Sequence, residues 1–246
     1  MITINSHDAI HKFWMYRLLI SIVDNSKLSK LYFKGGTCAA MAGFLDRFSV
    51  DLDFDYVGDL DELPVIKKEL KLIFKELGLE IKDESQKALQ FFLKYPNNNP
   101  DQRNTLKIDI NFPPPQSNNY KLVELGDISR VVICQDIETM FANKLVAIID
   151  RFERNDSIAG RDIYDVYHFF LNAYRYNSKV ITERTGLNPI TFFEKLELFI
   201  KDKISDKILT QDLNFLLPYD RFRKLRRTLK QDVLLFINLE IVNLKK

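Results

Sequence analysis

From Lys34 to Asp55 the chain reads KGGTCAAMAGFLDRFSVDLDFD, and its periodicity changes twice along that length. Leu31 to Phe33 form a short apolar run that enters the Gly35-Gly36-Thr37 turn, and small residues from Cys38 to Leu45 then suit a helix. Between Arg47 and Tyr56 the pattern alternates strictly, with Val50, Leu52, Phe54 and Tyr56 on one face and Asp51, Asp53 and Asp55 on the other. Alternation of period two marks a strand with one buried face. Strand, glycine turn, helix and strand in this order predict an α/β unit. The acidic face is costly, because Asp has poor strand propensity and like charges about 7 Å apart repel. A divalent cation would offset that repulsion. A solvated edge strand with an acidic outer face is the plain alternative, and the run alone leaves both open.

A second segment, Leu106-Lys107-Ile108-Asp109-Ile110-Asn111-Phe112, alternates in the same way and sets Lys107, Asp109 and Asn111 apart from the apolar residues. If it pairs beside the first strand, Asp109 joins Asp51 and Asp53. Three carboxylates there could hold two Mg²⁺ ions about 4 Å apart, as in-line phosphoryl chemistry requires. The two glycines let a phosphate approach the backbone closely, and a helix start offers amide groups to an anion. Most Gly-Gly pairs are simple turns; one followed by Asp-x-Asp on a strand is more specific.

Outward from this centre, residues 7–24 have helical apolar spacing, and Pro64 and Gly78 bracket a further helix. Strands are expected near 87–95, 105–112 and 131–134, with the turn-rich YPNNNPDQRN segment and the Pro113-Pro114-Pro115 run outside regular structure. After Gln135 strand-like alternation stops. Asp136 can cap a helix to about Phe152, another starts near Asp162, and further helices are expected over 189–203, 206–217 and 219–242. The division is an α/β domain over 1–134 and a helical domain over 135–246.

Composition sets outer limits. The 246 residues are 46% hydrophobic, enough for a folded core and against disorder. Net charge is +2, which commits the whole chain to no polyanion, but Lys201 to Lys246 hold 11 basic and 6 acidic residues, a local +5. Two cysteines, Cys38 and Cys134, give no disulfide framework or metal-binding spacing, and a reducing compartment follows. The most apolar stretch, Trp14 to Val23, contains Arg17 and is too short to span a bilayer. No membrane association and a cytoplasmic location are expected.

The string KGGTCAAMAGFLDRFSVDLDFD resembles the first motif of the nucleotidyltransferase superfamily, and its KGGT…RFSVDLDF detail is most similar to the AbiEii/AbiGii toxins, which include the MenT toxins. LKIDINF resembles the strand of the third carboxylate, and FANKLVAIIDR with AGRDIYDVYHF resembles the family's Lys helix and Arg-Asp-x-x-Asp helix. The resemblance runs in order from Lys34 to Phe169; beyond it lies a generic helical extension. It implies a polymerase-β-like core with a small mixed sheet and a C-terminal helical domain. The implied activity is transfer of NMP from an NTP to an acceptor hydroxyl with release of pyrophosphate.

Carried over position by position, the resemblance makes Asp51 and Asp53 metal ligands and gives Asp109 the second metal and the acceptor hydroxyl. Gly35, Gly36 and Thr37 would bind the β- and γ-phosphates, Lys144 would neutralise the triphosphate, and Asp162 would be the carboxylate of the last motif. Asp165 and Arg161 lie beside it, and the motif does not separate Asp162 from Asp165. Arg47 joins the nucleotide site in this reading, or with Ser49 caps the turn after Leu45. Lys107 either meets the nucleotide or balances Asp109. In the resembling toxins the acceptor can be a tRNA end, with a cognate antitoxin restraining the activity.

Several residues have plainer roles to weigh. Asp55 suits a strand end or a lysine partner better than a metal. Lys144 borders an apolar helix face, where a lysine can simply snorkel to water. His7 and His11 are spaced as a helical metal pair but have no third ligand, so a mixed helix face is expected. His168 is expected to pack, and Cys38 to lie behind the turn without a partner base. The run from Tyr219 to Lys230 carries Arg221, Arg223, Lys224, Arg226, Arg227 and Lys230 around a Phe222, Leu225, Leu229 stripe. Those cations suit an RNA backbone, or merely solvate a helix. Lys67, Lys68, Lys71 and Lys75 form a weaker patch. RNA is the favoured acceptor on that tail; an antibiotic-type small molecule would leave the catalytic residues the same. A metal-dependent nuclease needs no triphosphate turn, and a non-catalytic binding protein needs no intact acid set.

Overall fold

The computed structural model describes residues 8–86, 88–97, 103–214 and 216–246. The chain divides into two compact units, Met1–Pro114 with Tyr120–Gln135, and Pro115–Asn119 with Asp136–Lys246. The short link after Pro114 therefore groups with the helices, although it precedes the last two strands of the sheet.

The strands of the first unit are β1 (Leu31–Lys34), β2 (Asp51–Tyr56), β3 (Glu80–Glu84), β4 (Leu89–Lys94), β5 (Thr105–Asn111), β6 (Tyr120–Leu125) and β7 (Arg130–Gln135). Among the described residues they form one seven-stranded mixed sheet in the order β3-β4-β5-β2-β1-β7-β6. At its centre β2 runs parallel to β5 and antiparallel to β1, and β1 runs parallel to β7. Alternation sends Phe33, Leu52, Phe54, Phe91, Leu93, Leu106 and Ile108 into the core, where all are buried. Helices α1 (Ala9–Val23) and α3 (Leu63–Glu76) add Met15, Leu18, Leu19, Ile66, Leu70 and Phe74 to it, with the Phe74 ring against Phe91. The polar residues of the same strands share the opposite face.

The sheet is wider than the five strands expected from sequence. The two additional strands, β3 and β6, lie at its edges. EIKDE in β3 is charged and mostly exposed, and Leu122 of β6 is 71% exposed, so neither strand shows an apolar stripe. Charged edges of this kind resist pairing with other chains. They also hide the strand from a periodicity reading.

The second unit holds α4 (Ile137–Asn155), α5 (Gly160–Leu171), α6 (Ser178–Thr185), α7 (Pro189–Lys203), α8 (Asp206–Leu213), α9 (Tyr219–Leu225) and α10 (Leu229–Leu244). Asp136 caps α4 as expected, accepting from the Thr139 amide at 2.8 Å. Phe141, Leu145, Ile163, Phe169, Phe192, Leu196, Val233 and Ile237 form its buried core. Two expectations are corrected. Helix α6 lies where none was anticipated, in a short segment with only Val180 and Ile181 buried. The single helix expected over 219–242 is two, α9 and α10, interrupted at Arg226 to Thr228. In a continuous helix Arg223 and Arg227 would stand one turn apart and repel.

Candidate active site

Register brings the acidic residues together. Asp53 lies directly across from Asp109, Asp51 across from Lys107, and Asp55 across from Asn111 on the parallel neighbour. On the other side of β2, Lys34 lies across from Asp53. Burial raises the Asp53 carboxyl to about 6, Asp51 and Asp109 push the same way, and Lys34 and Lys107 offset part of the rise. A carboxyl held this high is one whose charged form burial disfavours, with Asp51 and Asp109 adding to that. That is the environment a hard cation would relieve.

The three carboxylates are not assembled around one point. Among the described residues, no three acidic, histidine or cysteine side chains stand close enough to hold an ion as placed. Asp109 instead accepts from Lys107 Nζ at 2.6 Å and from Gln90 Nε2 at 2.9 Å. Lys107 therefore balances Asp109, one of its two expected roles. The donor chemistry of Asp51, Asp53 and Asp109 fits Mg²⁺, whose preference is for carboxylate oxygen. The bonds from Lys107 and Gln90 both fall on Asp109 Oδ2.

The glycine turn touches this acid face. Gly35 has φ of +78°, and a Cβ there would come within 2.2 Å of the Asp53 Oδ2. Only glycine meets both demands. Helix α2 (Gly35–Met41) begins at the turn itself, three residues earlier than alternation and composition indicate. Thr37 is buried, and its hydroxyl donates to the Asp51 carbonyl at 2.5 Å, so it ties the turn to β2. Its hydroxyl is thereby engaged by the backbone of β2. Arg47 is buried too, with Nη1 donating to the Phe48 carbonyl at 2.9 Å. It packs with Ser49 against Gly36, where a Cβ would lie 2.9 Å from Ser49 Oγ and 3.1 Å from Arg47 Nη2. Arg47 therefore supports the turn from beneath.

In the helical unit, Lys144 on α4 bridges two fully buried carboxylates on α5, reaching Asp162 at 2.7 Å and Asp165 at 2.8 Å. Arg151, two turns along α4, donates to the other Asp162 oxygen at 2.8 Å. Burial alone would raise the Asp162 carboxyl, but Lys144 and Arg151 outweigh it and hold it well below the usual range. The ambiguity between Asp162 and Asp165 has a physical basis, since one lysine grips both. Lys144 does not snorkel freely; it is the counter-charge of a buried acid pair.

The remaining expectations divide. Phe222 and Leu229 are buried as core. Arg221 lies over the Tyr164 ring, Arg226 over Phe222, and Lys230 donates to the Lys201 carbonyl at 2.8 Å. Arg223, Lys224 and Arg227 are the exposed members of the run. In the weaker patch, Lys67 and Lys71 both pair with Glu84. His7 lies outside the described residues, while His11 is buried between the Tyr95 hydroxyl and the Val50 carbonyl. His168 packs on Tyr164, and Cys38 is buried with its thiol pushed up by burial and by Cys134. Sequence reasoning missed Gln90, Tyr120 and Gln135, whose amide and hydroxyl groups donate to Asp109 and Asp55. Alternation could have flagged Gln90, which falls on the polar face of β4 opposite Asp109.

Two solved structures share this fold over nearly the whole chain. JHP933 from Helicobacter pylori aligns with a TM-score of 0.60 at 20% identity, covering 99% of this chain and 95% of its own. A further H. pylori protein, provisionally described as a nucleotidyltransferase, gives 0.60 and 20% over 98% of each chain. The antibiotic-resistance factor ANT(2'')-Ia aligns more loosely, at 0.44 and 15% over 69% of this chain and 88% of that one. Residues 17–226 match the family model described as nucleotidyl transferase AbiEii toxin, type IV TA system, and the chain belongs to that family. It is a nucleotidyltransferase of a toxin–antitoxin family. No curated protein matches the chain. Among the described residues no helix is long and apolar enough to cross a membrane.

Proposed function

We propose that this enzyme transfers NMP from an NTP to a hydroxyl of RNA, with a tRNA 3′ end as the favoured acceptor and pyrophosphate as the leaving group. The observation that carries the reading is the Asp53–Asp109 register with the Gly35 turn pressed against Asp53. Asp51, Asp53 and Asp109 would hold the Mg²⁺, which neutralises charge on the phosphates and lowers the pKa of a bound hydroxyl. The Gly35-Gly36 turn brings the triphosphate close to the acid strand, and Thr37, Arg47 and Ser49 keep that turn in place. Asp109 is the group that takes the acceptor proton. Lys107, held on Asp109 Oδ2, keeps its positive charge beside the reacting phosphates.

RNA is favoured over a small acceptor by Arg223, Lys224 and Arg227, which remain exposed on and just after α9. An antitoxin counterpart follows from the family's toxin–antitoxin character, and a cytoplasmic site of action belongs to the same proposal. The test is incubation with Mg²⁺, each α-labelled NTP in turn and size-fractionated RNA, comparing wild type with Asp53→Ala. Label on a tRNA-sized band that vanishes in the variant supports the reading. Shortened RNA would replace it with a nuclease, and label confined to small molecules with an antibiotic-type acceptor.

A further inference from the structure

Asp55 extends the acidic face by one place, yet its surroundings differ from those of Asp51 and Asp53. It is fully buried and accepts four hydrogen bonds: Lys34 Nζ at 2.7 Å, Asn111 Nδ2 at 3.2 Å, Tyr120 OH at 2.8 Å and Gln135 Nε2 at 2.6 Å. The donors come from β1, β5, β6 and β7, so one carboxylate gathers four strands. With those donors in place it is not a spare metal ligand. Stability alone does not account for it either, since a buried ion pair gains little over well-packed apolar residues of similar volume.

What the network fixes is Lys34. This lysine ends β1, lies across from Asp53, and immediately precedes the Gly35 turn. Its side chain stays 22% exposed while Asp55 is sealed. An ammonium has three donors, and Asp55 takes one of them. The other lysines have partners that the reaction would disturb or that lie elsewhere. Lys107 is paired with Asp109, itself an ion ligand in the proposed reading, and Lys144 is engaged with Asp162 and Asp165 in the helical unit. Lys34 is the cation of the acid face whose anchor is not asked to ligate anything.

We propose that Lys34 contacts the nucleotide's phosphates and that Asp55 is the positioning residue that aims it. This deepens the nucleotidyl-transfer reading and rests on it. A point charge on a flexible stem suits phosphate oxygen, but an unanchored lysine would spend its rotamer freedom on binding. Holding the ammonium against a buried carboxylate removes that cost beforehand.

The test uses the full chain and magnesium tripolyphosphate as the probe, with binding followed by calorimetry. Lys34→Met should weaken binding about tenfold or more, as loss of a charge-assisted contact does, while Lys34→Arg should retain most of it. Asp55→Asn should weaken binding to a lesser extent, with Lys34 present but no longer aimed. In turnover, Lys34→Met should raise KM for the NTP several-fold more than it lowers kcat. If Asp55→Asn fails to fold, the two Lys34 variants carry the comparison. Wild-type binding matched by Lys34→Met would overturn the proposal and leave a purely structural ion pair. Absence of binding by wild type would remove the triphosphate reading itself, and the proposal with it.

Discussion

Replacing Asp53 with Asn should stabilise the ion-free protein, and the gain should grow with pH. The folded carboxyl is raised from 3.8 to about 6, by burial first and Asp51 second. A group whose folded pKa is raised contributes fully below its unfolded value, and the contribution is lost as pH climbs through the folded one. At about pH 8 the charged side chain therefore costs the fold about 3 kcal/mol relative to a neutral one of equal size, and at about pH 4.5 about 1 kcal/mol. Asn has nearly the shape of Asp and does not ionise, so Asp53→Asn should recover those amounts. The single tryptophan, Trp14, lies on α1 in the same unit, so its fluorescence reports that unit's unfolding. Urea titrations with chelator at the two pH values give the comparison directly. Mg²⁺ should then stabilise wild type and leave Asp53→Asn nearly unmoved. An equal increment at both pH values, or no gain at the higher one, would refute the argument that burial and the neighbouring aspartates hold the Asp53 carboxyl high.

Three further outcomes follow from the same geometry. Lys144→Met removes one counter-charge shared by Asp162 and Asp165, and should cost about 3 kcal/mol in the helical unit; thermal unfolding by circular dichroism measures it, and adding Asp165→Asn should restore part. Gly35→Ala combines a left-handed backbone with a Cβ on the Asp53 carboxylate, so transfer should fall more than about tenfold with overall helicity kept, which steady-state turnover and circular dichroism check together. Neutralising Arg223, Lys224 and Arg227 to Gln should weaken RNA binding across sequences and make the log–log salt slope shallower by about 2, as filter binding over a salt series would show, while tripolyphosphate binding stays unchanged.

The centre of the fold was legible because the sequence there is doubly constrained. Asp51, Asp53 and Asp109 interrupt apolar alternation on strands whose other face is fully buried, so both strand and site announce themselves together. The edges were not legible, since β3 and β6 bury almost nothing and need no apolar stripe. The break between α9 and α10 was missed because the Phe222, Leu225, Leu229 stripe continues through it; only the crowded arginines mark the interruption. Side-chain commitments lie beyond periodicity altogether. Thr37 and Arg47 occupy expected site positions, yet their polar groups go to the Asp51 and Phe48 carbonyls, and that choice depends on which backbone groups lie nearby in three dimensions. The same is true of Asp55, whose donors Tyr120 and Gln135 are far from it along the chain.

Whether the acid face of β2 and β5 moves a nucleotide is decided by the position of the label in the NTP. With RNA and Mg²⁺ present, an α-phosphate label should enter RNA and a γ-phosphate label should leave as pyrophosphate. Both should be lost in Asp53→Asn and Asp109→Asn, which keep their fold. Entry of the γ-label into RNA would make the enzyme a phosphoryl transferase, and α-label transfer surviving in both variants would place the chemistry elsewhere in the chain.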